Sequence, residues 1–103
     1  MARTTIPNVS ISNGAAIEPA PVTLDANGGA LPCAWQIVRL HNSTGSELDV
    51  TVHSGADNAF DINVSVDAGS VVYLKIVDTT FYRQSDGTIY IDGAGIDVVS
   101  LTL

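Results

Sequence analysis

The chain has 103 residues, 46% hydrophobic and 15% charged, a length and composition that exclude a disordered polymer and leave room for one domain with a single core. Eleven acidic residues face Arg3, Arg39, Lys75 and Arg83, for a formal charge of -7. That field repels phosphate backbones and anionic lipid, so neither nucleic acid nor a membrane surface is expected as a partner. No apolar run approaches the roughly 20 residues that cross a bilayer and no export-type leader is recognisable, so synthesis in the cytoplasm is expected.

Residues 1–33 hold all four prolines, Pro7, Pro19, Pro21 and Pro32, with Asn13-Gly14 and Gly28-Gly29 among them. Proline removes a ladder donor and glycine weakens a strand, so no long central strand fits here. Short edge elements do fit: 9–12 and 15–18 flank Asn13-Gly14 as a small hairpin would, and 22–24 can add briefly to a sheet. Ile6, Val9, Ile11, Ile17, Val22 and Leu24 are spaced apolar anchors. The segment reads as an extended arm, packed on its own body or on a neighbour.

Residues 34–103 read as the body, a succession of strands. Trp35, Ile37, Val38 and Leu40 mark a strand over 34–41, which ends in the turn residues Asn42 to Ser46. Leu48, Val50 and Val52 alternate with Asp49, Thr51 and His53, and Phe60, Ile62, Val64 and Val66 alternate with Asp61, Asn63, Ser65 and Asp67. Period two sends one set to a core and the other to water, so Val50, Val52, Ile62 and Val64 are expected to share one core. Asp67-Ala68-Gly69-Ser70 turns the chain back, as a hairpin, into 71–77, which is apolar on both faces apart from Lys75. A two-layer body covers only one of those faces, leaving the other to the N-terminal segment or a second subunit.

Residues 81–84 and 88–92 flank Ser85-Asp86-Gly87 and are expected to form a hairpin. Phe81 and Tyr82 would then point to opposite faces, one of them exposed, with Arg83 beside it as a contact group. In 96–103 the apolar parity changes from Ile96 and Val98 to Val99, Leu101 and Leu103, as a bulge or a crossing between sheets would require. The expected fold is all-β: a compact antiparallel β-sandwich or jelly-roll-like barrel carrying an extended N-terminal arm.

Reactive chemistry is sparse. Cys33 is the one cysteine and reads as a small core residue; His41 and His53 lie on separate strands, at a strand end and on a polar parity, with no nucleophile elbow beside them. No catalytic set, and hence no enzyme, is expected. Asp57, Asn58 and Asp61, or Asp25 and Asn27 beside Gly28, offer oxygen donors without completing a calcium loop, so they read as turn residues and neither metal nor cofactor is expected. Trp35, Tyr73, Phe81, Tyr82 and Tyr90 would suit a sugar-binding platform, but core and cross-strand pairing accounts for most of them.

The Pro-rich arm, the Trp35 strand ending in His41-Asn42-Ser43-Thr44-Gly45, the Asp67-Ala68-Gly69-Ser70 turn and the stretch from Phe81 through Asp86-Gly87 to Ile91 resemble small virion proteins of tailed bacteriophages. The resemblance implies a structural protein of the virion, first a head decoration or cement protein that binds the capsid and adds buried surface. A neck or tail component is the close alternative, and a carbohydrate-binding β-sandwich module is the alternative from a different class. The implied partners are the major capsid protein or another virion protein, and further copies of this chain, most simply as a trimer. Ile6, Val9, Ile11, Ile17, Phe81, Tyr82 and Arg83 are the candidate interface residues.

Overall fold

The computed structural model describes residues 3–10, 19–55, 61–76 and 79–102. Among them, strands form at β1 (Thr4–Thr5), β2 (Asn8–Ser10), β3 (Val22–Thr23), β4 (Gly29–Pro32), β5 (Gln36–His41), β6 (Leu48–Val52), β7 (Ile62–Val66), β8 (Val71–Ile76), β9 (Thr88–Asp92) and β10 (Asp97–Thr102), with one helical turn, α1 (Thr79–Tyr82). Antiparallel pairing is nested: β6 pairs β7, β5 pairs β8, β4 pairs β9 and β3 pairs β10. A long hairpin folded in this order rolls into two facing sheets, β4-β9-β6-β7 and β3-β10-β5-β8. This eight-strand double Greek key is a jelly roll, the more specific of the two expected β architectures.

Each sheet gains one strand from the arm, because β1 pairs in parallel with β4 and β2 in parallel with β10. Between them, Ile6 is 1% exposed. Its backbone N–H donates to Ala30 O at 3.0 Å, and its Cδ1 lies with Leu24 Cδ2 where a side chain on Gly29 would have to sit. Ile6 is therefore part of the core, not a contact surface as its place in a Pro-rich arm had implied: glycine leaves a slot that an isoleucine fills. Residue 33 is likewise no boundary between arm and body, since β3 and β4 are two of the eight nested strands and Leu31 is fully buried. The expected hairpin around Asn13-Gly14, with Ile11 and Ile17, lies outside the described residues, as do Asp57, Phe60, Val77 and Leu103.

The core follows the period-two reading. Val38, Leu40, Val50, Val52, Val66, Ile89, Ile91 and Val98 are all fully buried, while Ile62 and Val64 on edge strand β7 are half-buried against them. Each full burial of this kind contributes about 1.5–3 kcal/mol. The core also holds a polar chain: Gln36 Nε2 donates to Ser100 Oγ at 2.8 Å, Ser100 Oγ to Asn8 Oδ1 at 2.9 Å, and Asn8 Nδ2 to Thr102 Oγ1 at 3.2 Å.

Three local expectations are corrected. The turn Asp67-Ala68-Gly69-Ser70 does not close a hairpin, because β7 pairs with β6 in one sheet and β8 with β5 in the other, so the chain crosses between sheets there. β10 pairs with β5 without a break, from Asp97 opposite His41 to Leu101 opposite Ile37, so it neither bulges nor changes sheet. Its apolar parity changes because the inward position 100 is a hydrogen-bonded serine, while Val99 and Leu101 face outward. The segment 81–84 is not a strand: Phe81 and Tyr82 end α1, and a single bridge from Arg83 to Ile89 is all that remains of the expected hairpin. Tyr82 packs toward the core and Phe81 stays exposed. Gly55 holds this turn, for its N–H donates to Phe81 O at 2.8 Å and its missing side chain makes room for the Arg83 carbonyl.

Candidate functional site

The two outer faces of the sandwich differ in kind. On the β4-β9-β6-β7 sheet nearly every outward side chain is polar and already hydrogen-bonded. Thr51 Oγ1 donates to Asn63 Oδ1 at 3.0 Å, Ser65 Oγ to Asp49 Oδ1 at 2.9 Å, and Tyr90 Oη to Asp86 Oδ2 at 2.8 Å. Arg3 lies over the Tyr90 ring, 4.2 Å from its centroid, and donates to Asp92 Oδ1 at 2.7 Å and Oδ2 at 3.3 Å. His53 joins Asp92 through Nε2 and has Nδ1 3.7 Å from Asp61 Oδ2, while Asp61 Oδ1 accepts the Ser54 N–H at 2.6 Å.

These contacts set the ionisation of the carboxylates. Burial opposes the charged form of Asp92, but hydrogen bonds from Arg3 and His53, with their charges, outweigh it and hold the carboxyl below its ordinary range. Asp86 is lowered by the Thr88 hydroxyl, the Thr88 N–H and the Tyr90 hydroxyl, and Tyr90 is raised by the hydrogen bond it gives to Asp86. Asp61 and His53, expected to be a turn residue and an outward strand residue, thus form part of one ionic network that pins the arm to β9 and β6. Sequence reading did not join Arg3 to them. The signal available was the parity that places His53 and Asp92 outward on their strands.

The outer face of the β2-β10-β5-β8 sheet has the opposite character. Register lays it out in three rows: Val9, Leu101, Ile37 and Lys75; then Val99, Arg39 and Tyr73; then Thr23, Asp97, His41 and Val71. Tyr73 is 64% exposed and Val71 38%, whereas Val9, Ile37 and Leu101 are half-buried and Val99 is buried. The one acidic residue in these rows, Asp97, accepts from Thr23 Oγ1 at 2.5 Å and lies 3.7 Å from His41 Nδ1. Among the described residues, neither Arg39 nor Lys75 has a carboxylate within ion-pair distance. The two-faced apolar pattern of 71–77 resolves accordingly: Val72, Leu74 and Ile76 pack inward, and Val71, Tyr73 and Lys75 look outward.

The end of the sandwich where β5 and β9 begin carries a third feature. Trp35, just before β5, is 75% exposed, and Phe81 in α1 is 48% exposed, with exposed Arg83 following it. Gly55 and residues 83–87 line an open polar depression nearby.

The candidate interface residues therefore part company: Ile6 is core, Val9 belongs to the apolar sheet face, and Phe81 and Arg83 lie at the end of the sandwich with Tyr82 turned inward. Cys33 is half-buried against the core, and His41 and His53 lie on opposite sheets. Among the described residues, no three His, Cys, Asp or Glu side chains are grouped to hold a metal ion. Comparison with known proteins finds no matching family model, no matching curated protein and no matching solved structure.

Proposed function

We propose that this chain is a structural protein of a virus particle, a head decoration protein that works by association alone. The observation that carries the reading is the outer face of the β2-β10-β5-β8 sheet, where Tyr73 and Val71 lie open and half-buried Ile37 and Leu101 flank them. An exposed tyrosine and valine on one face of a small acidic domain suit a surface made for contact. The jelly roll is a frequent architecture of virion proteins, though it also serves lectins and enzymes, so the fold supports the reading by analogy only. Because the arm is built into both sheets, contacts between copies in a trimer are assigned to the end of the sandwich bearing Phe81 and Arg83. The sheet face is left for the shell. A neck or tail position would use the same surfaces.

The test is to add the purified protein to heads that lack it and measure their resistance to heat. A decoration protein raises the temperature at which the heads rupture; heads that rupture unchanged contradict the reading.

One observation favours a second reading, a carbohydrate-binding module: among the described residues Trp35 is the most exposed large apolar side chain, and an open indole is the usual stacking surface for a sugar ring. Quenching of Trp35 fluorescence on titration with oligosaccharides would support this reading, and its absence across neutral and acidic sugars would remove it.

A further inference from the structure

We propose that the outer face of the β2-β10-β5-β8 sheet docks on an acidic, apolar surface of the shell protein, with Arg39 and Lys75 pairing with its carboxylates and Tyr73 as the apolar anchor. The inference rests on the decoration reading above and adds the chemistry of the partner.

Charge distribution carries the argument. The chain holds four Arg and Lys residues against eleven acids, yet two of the four cations stand on this one face. Arg39 is set between Val99 and Tyr73, and Lys75 lies beside Ile37. On an acidic domain, cations that make no ion pair among the described residues and stand beside the exposed Tyr73 and Val71 are an arrangement for meeting someone else's anions. The opposite sheet makes the contrast: there Arg3 is bonded to Asp92, Asp92 and Asp61 to His53, and Asp49 to Ser65. That face is finished and this one is not.

The same chemistry selects among occupants. Two cations on a chain of charge -7 are too few to hold a polyanion, so nucleic acid is disfavoured. A second copy docked by a two-fold axis would bring Arg39 and Lys75 toward their own counterparts across the interface. Docked head to tail, it would offer, among the described residues, mostly carboxylates already engaged within the chain, at Asp25, Asp49, Asp61, Asp86, Asp92 and Asp97, with Glu47 and Asp67 as the exceptions. An acidic partner surface with apolar content satisfies both the charges and Tyr73, and Arg and Tyr are the side chains that most often dominate such contacts.

The test uses the full chain and, as probe, shells of the major capsid protein encoded in the same genome, with binding measured by co-sedimentation at rising salt. Three variants are compared with the wild type after circular dichroism has shown each to be folded. R39Q/K75Q alters the proposed face. N63D/S65D lowers the net charge by the same amount on the opposite sheet. Tyr73→Ser removes an exposed anchor without touching the core. The proposal expects affinity that falls with salt, a loss of at least about tenfold for R39Q/K75Q and for Tyr73→Ser, and N63D/S65D within about twofold of the wild type.

Wild-type binding that all three variants retain would overturn the docking face and leave the decoration reading standing. Loss in Tyr73→Ser alone would overturn the acidic partner. A wild-type oligomer in sedimentation velocity that Tyr73→Ser dissolves would assign the face to a second copy and overturn the proposal. No wild-type binding at any salt would overturn the decoration reading, and the docking proposal with it.

Discussion

Arg3 Nη1 donates to Asp92 Oδ1 at 2.7 Å and stands 3.3 Å from the carbonyl oxygens of Gly29 and Ile91, so one guanidinium joins the start of the arm to β4 and β9. Gly28, at φ 74°, passes beneath this pair, where a side chain would collide with both partners. With Ile6 buried just beyond, residues 3–10 are built into the sandwich and are not a tether. Ile6→Ala should cost about 2–5 kcal/mol in urea unfolding, the range for emptying a buried aliphatic site. A change within error would return the arm to the status of an appendage.

The Arg3, Asp92 and His53 contacts predict a pH signature. A carboxyl whose folded-state value lies below its unfolded one binds its proton more readily when unfolded, so it stabilises the fold above the unfolded value, about 3.9, and that contribution is lost as pH falls through the lower folded value. Asp92→Asn should therefore melt below the wild type at neutral pH, with the gap closing below about pH 4. A gap that stays constant down to the acid transition would show that the Asp92 charge contributes nothing.

Ser100 links Gln36 to Asn8 inside the sandwich. Ser100→Ala strips both of a partner in a site without solvent exposure, and the expected cost is about 1–3 kcal/mol, larger than that of an ordinary surface hydroxyl. The urea midpoint measures it. A neutral outcome would mean that Gln36 and Asn8 pair with each other once the hydroxyl is gone.

Gly55 fits against the Arg83 carbonyl. Gly55→Ala should push α1 away from β9, with a cost of about 1–3 kcal/mol from overpacking and increased proteolytic cleavage after Arg83. Unchanged stability and cleavage would show that the turn shifts without resistance.

How much of this was legible in the chain depended on the length of each signal. The alternations around Val50 and Val52 and around Ile62 and Val64 named their inward residues correctly, because period two over five positions leaves little choice of face. Which strand pairs with which was not legible: the nesting that makes the jelly roll is set by contacts between residues as distant as Val22 and Val98. Phe81 to Gln84 is too short for period alone to separate a strand from a helical turn, and the contact that decides it, from Gly55, is remote in sequence. Ser100 misled for a related reason, since a serine facing inward looks like a change of register until Gln36 and Asn8 are seen beside it. At the functional surfaces, the two apolar parities of β8 were readable but not which of them faces outward, and the isolation of Arg39 and Lys75 emerged only once the neighbouring strands were in place.

The central claim, that this jelly roll is a component of a virus particle, is tested most directly by quantitative mass spectrometry of purified particles from the source that encodes it. The account predicts its peptides in a fixed, many-copy ratio to the major capsid protein, maintained through gradient purification. Particles of full infectivity from which the chain is absent, with the protein recovered instead in the soluble fraction, would contradict it.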